Sequence, residues 1–188
     1  MPTSVTPKRK PSRAPELELT VQNGARIARL PSPAKFKKWL RAALTRSTHV
    51  TLRIVGAREA RLLNHHYRGR DYATNVLTFI YSDGRPLAGD IAICAPVVAR
   101  EARRRGISPD AHYAHLTVHG ALHLQGYDHE RASEAGRMER LEVRILARLG
   151  FANPYEGEEP SARKAGGKRL SRASRLSPRV SRSTQHGQ

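Results

Sequence analysis

The segment His119-Gly120-Ala121-Leu122-His123-Leu124-Gln125-Gly126-Tyr127-Asp128-His129 limits what this chain can fold into more than any other stretch of its 188 residues. Leu116, Val118, Ala121, Leu122 and Leu124 surround the first two histidines with apolar side chains, the composition of a buried helix. A lone histidine on such a helix is ordinarily a core residue satisfied by the backbone. Two of them buried four residues apart need a stronger partner, because an unsatisfied polar group is costly to bury. On a helix, residues i and i+4 share a face with side chains about 5–6 Å apart, so His119 and His123 can grip one ion through Zn–N bonds of about 2.0–2.1 Å. Gly126 offers positive φ where the helix must stop, which lets the chain reverse and bring back His129 as a third imidazole while a fourth position stays open for water. The spacing therefore predicts one zinc ion per chain, held by His119, His123 and His129, at a catalytic site. His115, one turn earlier on the same face, is assigned to orienting or packing against the others rather than to ligation.

The same spacing matches the His-x3-His-x2-Gly-x2-His skeleton of metzincin proteases. Those enzymes carry a glutamate directly after the first histidine as general base, and here that position is Gly120. A peptidase reading lacks its proton acceptor, though it stands as the competing hydrolase.

Charge narrows the partner. The chain holds 34 Lys and Arg against 16 Asp and Glu, a formal +18, which points to a polyanion. Four of the cations precede Glu16, and eight follow Gly157 (Arg163, Lys164, Lys168, Arg169, Arg172, Arg175, Arg179 and Arg182). Setting these aside with Glu158 and Glu159 leaves 22 basic and 14 acidic residues over 16–156, so the body is itself basic. Residues 157–188 are rich in Ser, Arg and Gly and poor in large apolar side chains, too little to offset the entropy of ordering. Three parts are expected: a basic disordered tail over 1–15, one folded domain over 16–156 and a second basic disordered tail over 157–188.

No apolar run reaches the roughly 20 residues that span a bilayer, so no membrane partner is expected. Residues 1–4 open without an apolar signal region, and a single Cys94 excludes an internal disulfide, which together predict a reducing, cytoplasmic setting. A transit peptide over residues 1–15 is the rival, because Lys8, Arg9, Lys10 and Arg13 meet no acid there; Pro2, Pro7, Pro11 and Pro15 would break its helix.

Periodicity gives a mixed α/β pattern without internal repeats. Leu17–Val21, Val50–Val55, Asn75–Tyr81 and Asp90–Ala95 read as strands, the last two paired across Asp83-Gly84 and Arg85-Pro86. Ala34–Leu44, Arg58–Tyr67, Pro96–Arg105, Pro109–Gln125 and Glu130–Leu149 read as helices, with Gly69 and Gly150 as C-terminal stops. The last helix carries Ala135, Met138, Leu141, Ile145 and Leu149 on one stripe.

With these residues in place, the sequence resembles the YbeY family of bacterial endoribonucleases, whose pattern His-Gly-x-Leu-His-Leu-x-Gly-Tyr-Asp-His is met in full from His119 to His129. Leu63-Asn64-x-x-Tyr67-Arg68-x-x-Asp71-x-x-Thr74-Asn75-Val76-Leu77 and Gly89-Asp90-Ile91-x-Ile93-Cys94 are similar to two further blocks of that family, as are Met138-Glu139 and Asn153-Pro154-Tyr155. The resemblance spans Leu17 to Tyr155 and leaves both tails outside it. Where many members read Ser-Phe-Pro, this chain has Thr78-Phe79-Ile80, which keeps a hydroxyl and permits one more ladder hydrogen bond. The resemblance implies a small central mixed sheet flanked by helices, an α+β architecture like that of metalloproteases, with zinc on one helix. It also implies a zinc-dependent, single-strand-specific endoribonuclease that acts in 16S rRNA 3′-end maturation and 70S ribosome quality control. Its partners would be ribosomal RNA, the small ribosomal subunit and proteins of the ribosome or its assembly.

For catalysis, the charge developing on phosphate oxygens calls for a cation in the pocket. Arg68 is the candidate: it stands at a helix end before a β-run, matches the family's pocket arginine, and carries a guanidinium that binds phosphate bidentately. Its plainer role is a surface arginine at the end of that helix. Asp128 and Glu130 flank His129 and are the nearest carboxylates in sequence, but either can cap the following helix, so neither enters the catalytic set. The alternative to an enzyme is a non-catalytic RNA-binding assembly factor with structural zinc. An aromatic content of 5% offers few stacking platforms, so RNA selectivity would come from shape, phosphates or partner proteins.

Overall fold

The computed structural model describes residues 15–25, 27–127 and 132–156. Residues 1–14 and 157–188, together with Asp128, His129 and Glu130, lie outside the described residues.

The described residues form β1 (Leu17–Asn23), α1 (Pro33–Ala43), β2 (Thr48–Val55), α2 (Ala57–Arg68), β3 (Val76–Ser82), β4 (Leu87–Cys94), α3 (Ala95–Arg104), α4 (Pro109–Leu124) and α5 (Ala132–Arg148). The strands make one mixed sheet in the order β1-β2-β4-β3. β1 and β4 run parallel to β2, and β3 is an antiparallel edge strand. The expected pairing of the third and fourth strands is present, with a register shift between Ile80 and Ser82. This is the small mixed α+β sheet flanked by helices that the sequence predicts.

Local chemistry sets the helix starts. Ser32 and Ser108 are N-caps whose hydroxyls accept from the backbone N–H of Lys35 and Ala111, and Pro33 and Pro109 follow them at the first helical position, where a missing N–H costs nothing. Phe36, Trp39, Leu40 and Ala43 then turn one face of α1 inward.

The sheet separates two apolar clusters. On one face Val50, Leu52, Ile54, Val76, Ile91 and Ile93 pack with α1, α4 and α5. On the other, Val55, Leu77 and Ala92 pack with Ala60 of α2 and Val97 of α3. β4 is buried on both faces, which is why it reads as a near-continuous apolar run.

Two glycines let α4 lie close against the sheet. A Cβ at Gly120 would stand 2.9 Å from Cγ2 of Ile91, and one at Gly89 would stand 2.5 Å from Cδ2 of Leu124 and still closer to the carbonyl oxygen of Phe79. Position 120 thus faces β4 rather than solvent. Its glycine is required by packing, and no side chain there could act as a base. Leu116, Val118, Ala121, Leu122 and Leu124 are all buried, as the sequence implies.

The approach at Gly89 predicts a specific cost. Gly89→Ala forces its methyl against a backbone oxygen that cannot rotate away, so it is expected to destabilise the protein by about 2–3 kcal/mol, within the range of overpacked cores. Denaturant unfolding of the purified variant checks this; a midpoint equal to wild type would contradict the packing described.

Candidate metal centre

The helix α4 carries four histidines along one side, at positions 112, 115, 119 and 123, with successive ring centroids 6.1, 6.2 and 4.6 Å apart. Their partners differ. His112 is 1% exposed, and its Nε2 lies 2.8 Å from Oε2 of Glu101 on α3. The same oxygen accepts from Nδ2 of Asn75 at 3.0 Å, which ties the residues before β3 to α3 and α4.

Next along the helix, one carboxylate serves two imidazoles. Glu142 of α5 is fully buried, and its Oε1 lies 2.8 Å from Nδ1 of His119. Its Oε2 lies 3.1 Å from Nε2 of His115 and also accepts the hydroxyl hydrogen of Tyr155. Three donors therefore converge on one anion. Burial alone would raise the Glu142 pKa, but the bonds from His115 and His119 and their charge together hold it well below the usual carboxylate range. Burial lowers the His115 pKa despite the pull of Glu142. With Nε2 of His115 facing Glu142, its buried Nδ1 has no partner among the described residues. Nδ1 of His112 likewise has no partner among the described residues, opposite the contact with Glu101.

The anchor beyond Glu142 is the segment after α5. Gly150, at φ +86°, turns the chain. The carbonyl of Pro154 accepts from Nη2 of Arg105, and Oδ1 of Asn153 accepts from the Tyr155 backbone N–H at 3.0 Å. Asn153-Pro154-Tyr155 thereby delivers a phenol to the carboxylate, which gives that short motif a physical task.

His119 then faces His123. Their Nε2 atoms are 3.1 Å apart, while Nδ1 of His119 faces Glu142. Two nitrogens on one tetrahedral ion with bonds of about 2.0–2.1 Å stand about 3.3–3.4 Å apart, so the pair matches the span of adjacent zinc ligands. Gly126 has φ +86°, so the chain does turn where the sequence predicts. His115, His119 and Glu142 also form a group that could hold a metal ion, with one donor atom from each within 4.8 Å of the others. Of the predicted triad, the structure brings together His119 and His123, and His129 lies outside the described residues, as do Asp128 and Glu130.

Arg68 is the last residue of α2 and is exposed, on the face of the sheet away from α4. Tyr67 beside it packs edge-on against Phe79 of β3 with ring centroids 4.8 Å apart. The C-terminal end of α2 is thus fixed at the edge strand, which α4 reaches from the other face.

Sequence reasoning missed Glu142. Its signal was an acid four residues after Met138 and four before Leu146, in the middle of a buried stripe of α5. A charged residue there has to be paired.

Comparison with known proteins identifies the family. The family model described as "Endoribonuclease YbeY" matches residues 20–150. The chain belongs to the endoribonuclease YbeY family. An endoribonuclease YbeY from Nitrosomonas europaea is 50% identical over 155 residues, covering 82% of this chain and 94% of its own. Another YbeY, from Aromatoleum aromaticum, is 56% identical over 142 residues, covering 74% of this chain and 92% of its own. A solution structure from Thermotoga maritima aligns with 77% of this chain and 97% of its own at 23% identity and a TM-score of 0.46. Among the described residues no helix is long and apolar enough to cross a membrane.

The Glu101 carboxylate carries a pH-dependent contribution to stability. Burial pushes its pKa up, but the bonds from His112 and Asn75 and the charge of His112 outweigh burial and leave it below the usual value. A carboxylate depressed in the folded state stabilises the protein above its ordinary pKa and loses that contribution as pH falls through the folded value. Glu101→Gln is therefore expected to cost about 1–3 kcal/mol at neutral pH, and the gap from wild type should close below about pH 4.5. Thermal melts of both proteins across pH 3–7 check this; a gap independent of pH would contradict it.

Proposed function

We propose that this chain is a zinc-dependent, single-strand-specific endoribonuclease that matures the 3′ end of 16S rRNA and takes part in 70S ribosome quality control. The observation that carries the metal part of the proposal is the pair of Nε2 atoms of His119 and His123, 3.1 Å apart, with Nδ1 of His119 bonded to a buried carboxylate. Imidazole nitrogen is a preferred zinc donor, and a carboxylate behind a histidine ligand is a recurrent feature of zinc sites. His119, His123 and His129 are the residues that would hold the ion. Bound there, zinc would supply Lewis acidity toward a phosphoryl oxygen and a water acidified toward neutral pH.

The remaining tasks fall to the chain's own groups. Arg68, at the end of α2, is the residue we assign to the reacting phosphate, on the resemblance and on the chemistry of its guanidinium fork, which would offset charge building on the phosphate oxygens. The basic body holds the RNA backbone, and the eight cations of residues 157–188 add affinity through counterion release without adding specificity. The relatives' shared name, endoribonuclease, supports RNA as the substrate and hydrolysis as the reaction. The position after the first histidine is filled by a glycine packed on Ile91, which favours this reading over a metzincin-like peptidase.

Two measurements test the proposal. His119→Ala, His123→Ala and His129→Ala are each expected to lower zinc content sharply and to abolish cleavage of a single-stranded RNA; three variants with wild-type zinc would contradict the ligand set. Arg68→Ala is expected to keep zinc and melting temperature while slowing single-turnover cleavage about a hundredfold, with Arg68→Lys restoring only part of the rate. A stable, zinc-loaded Arg68→Ala protein that cleaves at the wild-type rate would remove Arg68 from the reaction.

A further inference from the structure

We infer that Glu142 is the positioning residue of the metal centre: it binds no ion itself, but fixes the tautomer and the rotation of His119 so that Nε2 of that ring faces Nε2 of His123. This inference rests on the zinc reading above.

The geometry gives the argument. A neutral imidazole carries one proton on either nitrogen, and the two tautomers are close in energy in water. An anionic carboxylate facing Nδ1 at 2.8 Å accepts a proton there and disfavours the other tautomer. The lone pair is then on Nε2, at the opposite side of the ring, where His123 stands. Direct ligation by Glu142 would require Nδ1 of His119 to give up this bond and turn its lone pair toward α5, away from His123. It would also draw Oε2 from His115 and Tyr155.

Glu142 is itself held from three sides. Its backbone belongs to α5, whose Met138, Ile145 and Leu146 are buried in the main core. Its Oε2 is pinned by His115 and by the Tyr155 hydroxyl, and the 153–155 segment is tied to Arg105. A fully buried carboxylate with this many donors is costly to desolvate and is hard to explain by stability alone, since an apolar residue would complete the α4–α5 contact at lower cost. Orientation of a ligand is the function that the arrangement serves. His115 accordingly acts through Glu142, as its clamp, and Tyr155 is the second clamp.

The test uses the full-length protein and zinc alone, with affinity measured by competition against a chromophoric chelator. Glutamine at 142 can still accept from Nδ1–H of His119 through its amide oxygen but lacks the charge, whereas alanine provides no acceptor. Glu142→Gln is expected to weaken zinc about tenfold and Glu142→Ala about a hundredfold, the span seen when partners of a ligating histidine are removed. Tyr155→Phe, which leaves the carboxylate in place and frees one of its clamps, is expected to weaken zinc a fewfold and covers the case in which the alanine variant does not fold.

A second readout needs no metal. In the zinc-free wild type, imidazole 15N shifts should report His119 as the Nδ1–H tautomer, and in Glu142→Ala they should move toward the Nε2–H form. A purely structural role for Glu142 would leave the tautomer unchanged and would overturn the inference. So would a folded Glu142→Ala protein that binds zinc within twofold of wild type. A Glu142→Gln protein that loses as much affinity as His119→Ala would show direct ligation and overturn it as well. A wild-type chain that takes up no zinc, yet shows the Nδ1–H tautomer, would overturn the metal reading and not the role of Glu142 in setting that tautomer.

Discussion

The close approach of α4 to β4 is the constraint from which the site follows. A helix normally stands off a sheet by the width of its side chains, but Gly120 on the helix and Gly89 on the strand remove those side chains where the two meet. The contact leaves Ile91 against Gly120 and Leu124 against Gly89, which fixes the rotation of α4 about its axis. Once that rotation is set, His115 and His119 look toward α5 and His112 toward Glu101. A helix buried on nearly all sides can carry four histidines only if each finds a partner: α3 and α5 supply those of His112, His115 and His119, and His123 faces His119. Fold and site are in this sense one piece of packing.

The polar pairs along α4 form two separate units. Glu101 links His112 to Asn75 and so joins α3, α4 and the start of β3. Glu142 links His115, His119 and Tyr155 and so joins α4, α5 and the chain beyond it. Both are networks in which one carboxylate meets several donors, the form in which a buried charge is tolerated. Removing one partner leaves the rest unsatisfied, which is why changes here should be felt more strongly than surface substitutions.

Most of the fold was legible in the sequence because its signals are local. Gly69, Gly126 and Gly150 at positive φ and alternation in Val50–Val55 placed elements within a few residues of where they stand. The first two zinc-ligand candidates were legible for the same reason, since i, i+4 spacing on a helix dictates proximity. Glu142 was not, because its partners are 23 and 27 residues away and its position on α5 looks like one more site on an apolar stripe. The glycine after His119 was readable only as the absence of a base; that it makes room for Ile91 needed the sheet to be in place. Arg68 has a position in the structure, at the end of α2 beside the Tyr67–Phe79 contact, and its role depends on where the substrate lies.

We propose that the paired imidazoles on α4 make this member of the family metal-dependent. The most direct measurement is to strip the full-length protein of metal, return zinc in sub-stoichiometric steps and follow single-turnover cleavage of a single-stranded RNA at each step. Cleavage is expected to be absent from the stripped protein and to rise in proportion to zinc, levelling at one ion per chain. Cleavage at full rate by the metal-free protein, or zinc uptake that brings none, would contradict it.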